Sequence, residues 1–298
     1  MFQKLRLHLN ALLRVPVRVA RIETRLRGFP DTGRIPLGAF RTGEYEAVTR
    51  LATGEFLYVD SRDVSVAIPL IMNGEYEPEL SALFRRLLKP GMVMLDVGAN
   101  FGYFGIMAAY QQQCRVHFLE ANPNLIPLLG KSLLVNGVHG HCRIKHCAVS
   151  DASGGRITLY VPDNVWGGAS VAHVPAFPNQ SNAAFEAEVW TLDDYAAQEG
   201  LERVDVVKVD VESHEAHAYA GMRQLVRRNP QLKLLMEYTF GAYPSNFLEA
   251  LRADFRSVRV LSHSNELQTF TDEADLRTRV PQTHTIASLL LENDAPLA

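Results

Sequence analysis

From residue 92 onward, short apolar runs alternate with stretches that carry apolar residues at helical spacing. Runs of strand length fall at 92–97, 115–119, 143–149, 205–209 and 232–236. Helical patterns fall near 103–111, 123–135, 214–228 and 245–253. This alternation predicts a parallel sheet covered on both faces, because each parallel return needs a crossover and a helix supplies it. Two further β-rich runs, 256–261 and 286–291, close the chain. The expected fold is α/β, a doubly wound Rossmann-like sheet. Upstream, 77–88 reads as an amphipathic helix that stops at Pro90-Gly91 and feeds the first strand. Residues 56–60 and 64–70 are apolar and β-rich, and Ser61-Arg62-Asp63 between them predicts a hairpin. Residues 31–54 are punctuated by Gly33, Pro36, Gly38 and Gly43 and read as loops. At the start, Arg14, Arg18, Arg21 and Arg25 share one helical face and Val19, Ile22 and Leu26 an adjacent one, with Pro16 as a break. The expected division is an N-terminal extension over 1–72 (basic helix, loop, hairpin) and a main domain over 73–298.

Composition narrows this little. The chain has 298 residues, of which 47% are hydrophobic and 21% charged, as in one large globular unit. A net charge of −3 gives no overall basic field, so no nucleic-acid partner is expected. No apolar run reaches the length of a membrane span. Cys114, Cys142 and Cys147 have no paired spacing, so a reduced interior is expected, with neither a disulfide frame nor a zinc knuckle. The arginine-rich start suits either a solvated helix that caps the domain or a second subunit, or contact with an anionic membrane surface through residues 1–27. A cytoplasmic protein, peripheral to a membrane in the second case, is the expectation.

Chemistry concentrates at strand ends. Val93 to Val97 lead into Gly98-Ala99-Asn100-Phe101-Gly102 and then a helix, which is half of a nucleotide-binding unit. Gly98 and Gly102 allow a sharp turn with close ligand approach. Asp96 ends the strand and is expected to point to the ligand, beside free N–H groups of the helix start. A dinucleotide dehydrogenase would need glycine where Asn100 stands. The pattern D-x-G-x-x-x-G is instead similar to the first motif of class I S-adenosylmethionine-dependent methyltransferases. Glu120 ends the second strand, where an acid can accept from both ribose hydroxyls. Ser150 and Asp151, after the third strand, can flank an adenine or simply make a turn. The fourth strand runs into Asp210-Val211-Glu212-Ser213-His214-Glu215, three carboxylates and a histidine at the sheet edge that binds ligands. Ser213 can cap the next helix, and Glu215 can serve its first turn. Glu237 ends the fifth strand, with Tyr238, Phe240 and Tyr243 as a candidate aromatic rim. The long link 162–188 contains Trp166-Gly167-Gly168 and is expected to cover the acceptor.

Across about residues 70–292 the chain resembles the FkbM family of methyltransferases. The resemblance lies in Asn73 to Glu79, Leu95 to Gly102, Ala148-Val149-Ser150-Asp151, Thr191-Leu192-Asp193-Asp194 and, most specifically, Lys208 to Glu215. Ser213 stands where the family usually has glycine. The resemblance implies a seven-stranded class I sheet with one antiparallel strand near the C-terminus. It also implies methyl transfer from S-adenosylmethionine to oxygen, often a hydroxyl of a saccharide or a polyketide-like product. The cofactor contacts expected are Asp96, Gly98, Ala99, Asn100, Gly102, Glu120, Ser150 and Asp151. The candidate bases are Asp210, Glu212 and His214, with Glu237 orienting the acceptor. A divalent metal among these carboxylates is chemically reasonable but not favoured. Three functions stay open: O-methylation of a saccharide or glycan, O-methylation of a free secondary metabolite, and a non-catalytic nucleoside-binding scaffold. Homo-oligomerisation is compatible with each.

Overall fold

The computed structural model describes residues 38–168, 170 and 182–293. The basic amphipathic stretch, and the membrane contact expected of it, lie outside the described residues. The described chain begins with a small antiparallel sheet of β1 (Ala39–Arg41), β2 (Glu46–Arg50) and β3 (Phe56–Asp60). Two of these strands fall in the stretch expected to be loops. They are short, and β2 buries only Ala47 and Thr49, with Glu46, Val48 and Arg50 half-buried beside them, so its alternation is faint in sequence.

The expected hairpin between 56–60 and 64–70 does not form. β3 pairs with β2, and the second run becomes helix α1 (Ala67–Asn73). Asp63 decides this. Its Oδ1 accepts the amides of Val66 and Ala67 at 2.7 and 2.8 Å, which satisfies donors that a helix start leaves orphaned. Pro69 agrees, since a proline is tolerated in a first turn and excluded from a central strand. Helix α2 (Pro78–Leu87) follows as expected, with Pro78 opening its first turn.

The remaining elements build the main sheet. In chain order they are β4 (Val93–Val97), α3 (Tyr103–Gln112), β5 (Arg115–Glu120), α4 (Leu125–Val135), β6 (Cys142–His146), β7 (Ala148–Val149), β8 (Arg156–Pro162), β9 (Asn182–Trp190), α5 (Leu192–Gln198), β10 (Val206–Val209), α6 (Glu215–Ala220), α7 (Arg223–Arg228), β11 (Lys233–Thr239), α8 (Phe247–Asp254), β12 (Ser257–Leu261), β13 (Leu267–Thr269), α9 (Glu273–Arg279) and β14 (Ile286–Glu292). The strand order is β13-β12-β14-β11-β10-β4-β5-β6. From β11 to β6 every pairing is parallel. β14 inserts antiparallel to β11 and β12. The short edge strand β13 is an eighth strand and a second antiparallel one, beyond the seven implied by the family resemblance. Its three residues are too few to carry a periodic signal.

Two apolar layers flank the sheet. One holds Phe84, Phe101, Ile106 and Leu129, and it also takes in Leu57 and Leu70 of the extension. The other holds Tyr195, Tyr219, Leu225, Leu251 and Leu276. The extension therefore shares a core with the main domain. Its β3 is docked further by α4: Asn136 Oδ1 and Ser132 Oγ accept the amides of Phe56 and Tyr58, both at 2.9 Å. These bonds satisfy an edge that would otherwise be free to pair with another chain.

Two long readings break in the structure. The run 143–149 divides at Cys147 into β6 and β7, and β7 pairs with β9 in a separate three-stranded sheet. The helix expected over 214–228 divides at Gly221 into α6 and α7. A Cβ on Gly221 would lie 2.1 Å from the Ser150 carbonyl oxygen, so the break lets two backbones meet. The parallel strands step outward from β4 in one direction to β5 and β6, and from β10 in the other to β11. The order reverses between β4 and β10, and crevices in open α/β sheets form at such a point.

Candidate active site

A cleft lies at that reversal, with about 1120 Å³ of space when the solvent at its mouth is included. Gly98, Ala99 and Asn100 line it from the end of β4, Glu120 from β5, Ser150 after β7, Asp210 and Glu212 after β10, and Glu237 from β11.

The turn after β4 is shaped by close approach. Gly98 has φ +72°, and a Cβ there would sit 1.7 Å from the Asp210 carbonyl oxygen. Its amide donates to the Leu119 carbonyl at 2.9 Å. The Asn100 amide likewise donates to Glu120 Oε2 at 2.7 Å. These bonds tie the turn to the end of β5. Gly102, expected to approach the ligand, is used for packing instead: a Cβ there would meet Leu129 at 2.4 Å.

Asp96 also departs from expectation. It does not line the cleft. It is buried, and its Oδ2 accepts the Gly105 amide at 3.0 Å, so it caps the first turn of α3 from within. Burial raises its carboxyl to about 7, against the pull of Lys208 and of the Gly105 N–H. Helix starts carry several orphan donors, and the nearest carboxylate was captured by one of them.

Glu120 keeps the place expected of it. Its two oxygens accept Asn100 N and Asn122 N, each at 2.7 Å. Each oxygen retains a lone pair for a further donor. Burial raises its pKa, and the Asn122 and Asn100 amides oppose the rise. Beside it, Asn100 Oδ1 and Asn122 Nδ2 are buried without a protein partner. An unsatisfied buried polar atom costs about 1–3 kcal/mol, and of these two residues Asn100 lines the cleft, where a ligand donor would satisfy it. These acceptors, Asn100 Oδ1 and the Glu120 oxygens, suit the hydroxyls and amine of a nucleoside. Among the described residues, Glu120, Asn100, Gly98 and Ser150 would hold it.

The opposite end of the cleft is acidic. Asp210, Glu215 and Glu237 bring carboxylate oxygens within 4.8 Å of one another, and Glu212 stands beside them on the cleft wall. Lys208, fully buried, donates to Asp210 at 2.8 Å. Burial alone would lower the pKa of this lysine, but Asp210, Asp96 and Glu77 outweigh it and raise it. Sequence reasoning gave Lys208 no role, because a lysine inside an apolar strand looks like an interruption of the pattern. Glu77, also missed, precedes Pro78 at φ +44°; burial, then Asp210, pushes it up to about 7. Burial, then Asp210 and Glu215, pushes Glu212 up to about 8. Burial together with Asp210 and Glu212 holds Glu237 well above the usual carboxylate range.

The turn that presents Glu212 is strained. Glu212 has φ +55° and Ser213 φ +71°, a left-handed pair without glycine. Ser213 thus adopts the conformation expected of the residue it replaces, and it does not cap α6, which starts at Glu215. Glu215 is buried and occupied: its oxygens accept Val211 N at 2.8 Å and Tyr243 Oη at 2.5 Å. His214 turns to the nucleoside side. Its Nε2 lies 3.0 Å from Ser150 Oγ, and its ring stacks on His217 at 4.3 Å. Burial, then His217, lowers its pKa. Asp151 does not line the cleft; it accepts from Ser150 Oγ at 3.0 Å.

The expected aromatic rim is misplaced. Tyr238 is buried and stacked on Phe247, and Tyr243 is spent on Glu215. The aromatic lining comes from Tyr76, Phe101, Tyr103, Phe104 and Trp166. Trp166 packs on the glycine turn, its ring 6.4 Å from that of Phe101 at 19°. The three cysteines are free and buried. No described helix is long and apolar enough to cross a membrane.

Residues 96–263 match the family model described as the methyltransferase FkbM domain. The 31-O-demethyl-FK506 methyltransferase FkbM of Streptomyces tacrolimicus is 29% identical over 160 residues. That alignment takes in 45% of this chain and 61% of the relative, so the chain spans less than two thirds of the curated relative it matches. Among solved structures, a precorrin-6y C5,15-methyltransferase of Geobacter metallireducens overlaps 76% of this chain and 90% of its own, at 14% identity and a TM-score of 0.40. A methyltransferase of Thiobacillus denitrificans in complex with S-adenosylhomocysteine overlaps 68% and 77%, at 16% identity and a TM-score of 0.38.

Proposed function

Because the chain belongs to the FkbM family of methyltransferases, with more than half its length inside the family model, we propose that it transfers a methyl group from S-adenosylmethionine to a hydroxyl oxygen. The observation that carries this reading is the pairing of two ends in one cleft: a nucleoside end at Glu120 and Asn100, and an acidic end at Asp210, Glu212 and Glu237. S-adenosylmethionine, when bound, supplies an electrophilic methyl group on a sulfonium. The chain's own residues do the rest. Glu120 and Asn100 hold the nucleoside, and the cleft walls align the acceptor, which by itself contributes much of the acceleration. A hydroxyl is a poor nucleophile at neutral pH, so a base should contribute about 10²–10⁴. Of the candidates Asp210, Glu212 and His214, Glu212 suits the task best, since a base works best with a pKa near the operating pH and burial brings this one to about 8. Asp210 is held by its pairing with Lys208. Glu237 orients the acceptor.

For the acceptor we favour a saccharide or glycan, because the acidic end is rich in groups that both donate and accept hydrogen bonds when part-protonated. A second reading, a polyketide or other secondary metabolite, is supported by the relative whose name gives its substrate as 31-O-demethyl-FK506. A screen with S-adenosylmethionine labelled in the methyl group, run against panels of glycans and polyketides, tests both. Label in a glycan hydroxyl supports the first and label in a polyketide hydroxyl supports the second. Binding without transfer to any hydroxyl would return the chain to the class of nucleoside-binding scaffolds.

A further inference from the structure

Trp166 lies within the family match, but the segment that holds it, residues 60–67, lies outside that match. Its backbone amide donates to Asp63 Oδ2 at 2.7 Å, across 103 residues of chain. Asp63 is buried and fully engaged: the same oxygen accepts Ser65 Oγ at 2.9 Å, and Oδ1 accepts the two amides that open α1. Val64 N donates to the Asn164 carbonyl at 2.9 Å, which adds a second tie between the two segments. Asp60 grips Arg62 at two points, 2.9 and 2.7 Å, and the guanidinium lies 5.3 Å from the centre of the Trp166 ring. The ring stacks in turn on Phe101. Gly167 comes so close to the glycine turn that a Cβ would lie 3.2 Å from Asn100 Nδ2.

We propose that Asp63 is a positioning residue that fixes Trp166 as a wall over the donor half of the cleft, not over the acceptor. The proposal rests on the S-adenosylmethionine reading. The geometry supports the donor half because, among the described residues, the Trp166 ring stacks on Phe101, its amide is held by Asp63, and the next residue, Gly167, closes on Asn100, which is bonded to Glu120 at the nucleoside end. The sequence-based expectation was the reverse. A carboxylate suits this task because it accepts from both sides at once, whereas an amide in its place must turn a donor toward either Trp166 N or the α1 amides.

The test uses the full chain and S-adenosylhomocysteine. The chain has two tryptophans, so Trp190→Phe leaves Trp166 as the single reporter. Adding S-adenosylhomocysteine should change Trp166 emission saturably. Asp63→Asn in that background should raise acrylamide quenching of Trp166 and weaken S-adenosylhomocysteine about tenfold, while Ser65→Ala, which leaves the Trp166 tie intact, should stay within about twofold. Trp166→Ala, read by calorimetry, covers the case in which Asp63→Asn fails to fold, and should also weaken the ligand about tenfold. Unchanged affinity in a folded Asp63→Asn protein, or in Trp166→Ala, overturns the proposal. If the parent protein itself does not bind S-adenosylhomocysteine, the donor reading falls and the proposal falls with it, which is a distinct result.

Discussion

At the scale of the residue, the turn that follows β10 shows strain used to present chemistry. Glu212 and Ser213 sit in the left-handed region, where a residue with a Cβ costs about 1–3 kcal/mol. Strain of this kind persists only when neighbours hold it, and here Glu215 does so by accepting the Val211 amide. Ser213→Gly should relieve one of the two costs. Glycine also gains freedom in the unfolded chain, so the net stabilisation should be about 0.5–1 kcal/mol, or a few degrees in Tm. Thermal unfolding of the variant measures this, and a variant less stable than its parent would show that the turn is not strained at Ser213. The strand-end acids Glu120, Asp210, Glu212 and Glu237 were legible in sequence because a carboxylate after an apolar strand is conspicuous. Asp96 was equally conspicuous and is not in the cleft. A sequence shows that a carboxylate stands at a strand end, and not which of the nearby donors will claim it.

At the scale of the element, long apolar runs were readable and short ones were not. The parallel strands and α2, α3, α4 and α8 fall where periodicity put them. β1, β2 and β13 are three to five residues long and half-buried, so tertiary pairing and not pattern creates them. The run 64–70 carried its own correction in Asp63 and Pro69, which outweigh its β-rich composition. The wall formed by Trp166 was beyond reach, since its key bond spans 103 residues and no local rule links the partners. The division at residue 72 is likewise a proposal about sequence and not about cooperativity. Leu57, in β3, is fully buried in the core that serves α3 and α4. Leu57→Ala should therefore cost the whole described fold about 2–5 kcal/mol. Denaturant unfolding followed by near-ultraviolet dichroism should show one transition shifted as a unit. Two separated transitions, with only the minor one shifted, would mean that the extension folds independently.

At the scale of the whole molecule, the buried carboxylates in and beside the cleft store protons. The folded chain raises Asp96 and Glu77 to about 7 and Glu212 to about 8, while the same groups in an unfolded chain titrate near their ordinary values of 3.8, 4.5 and 4.5. Between these limits the native state binds more protons than the unfolded state. Stability from these groups is thus present at low pH and is lost as pH rises through about 7–8. They share one cluster and should titrate as a set. The Tm of the ligand-free protein should fall from pH 6 to pH 9, and Glu212→Gln should flatten the upper part of that fall. A Tm that is level or rising across the range would contradict the buried, part-protonated cluster.

All of this depends on a nucleoside-bearing methyl donor lying across the β4–β10 edge. The most direct measurement is calorimetric titration of the protein with S-adenosylhomocysteine and, separately, with a nicotinamide dinucleotide. The account predicts saturable one-to-one binding of the first, weakened about tenfold by Glu120→Gln, and no response to the second. Binding of the dinucleotide with no heat from S-adenosylhomocysteine would contradict it.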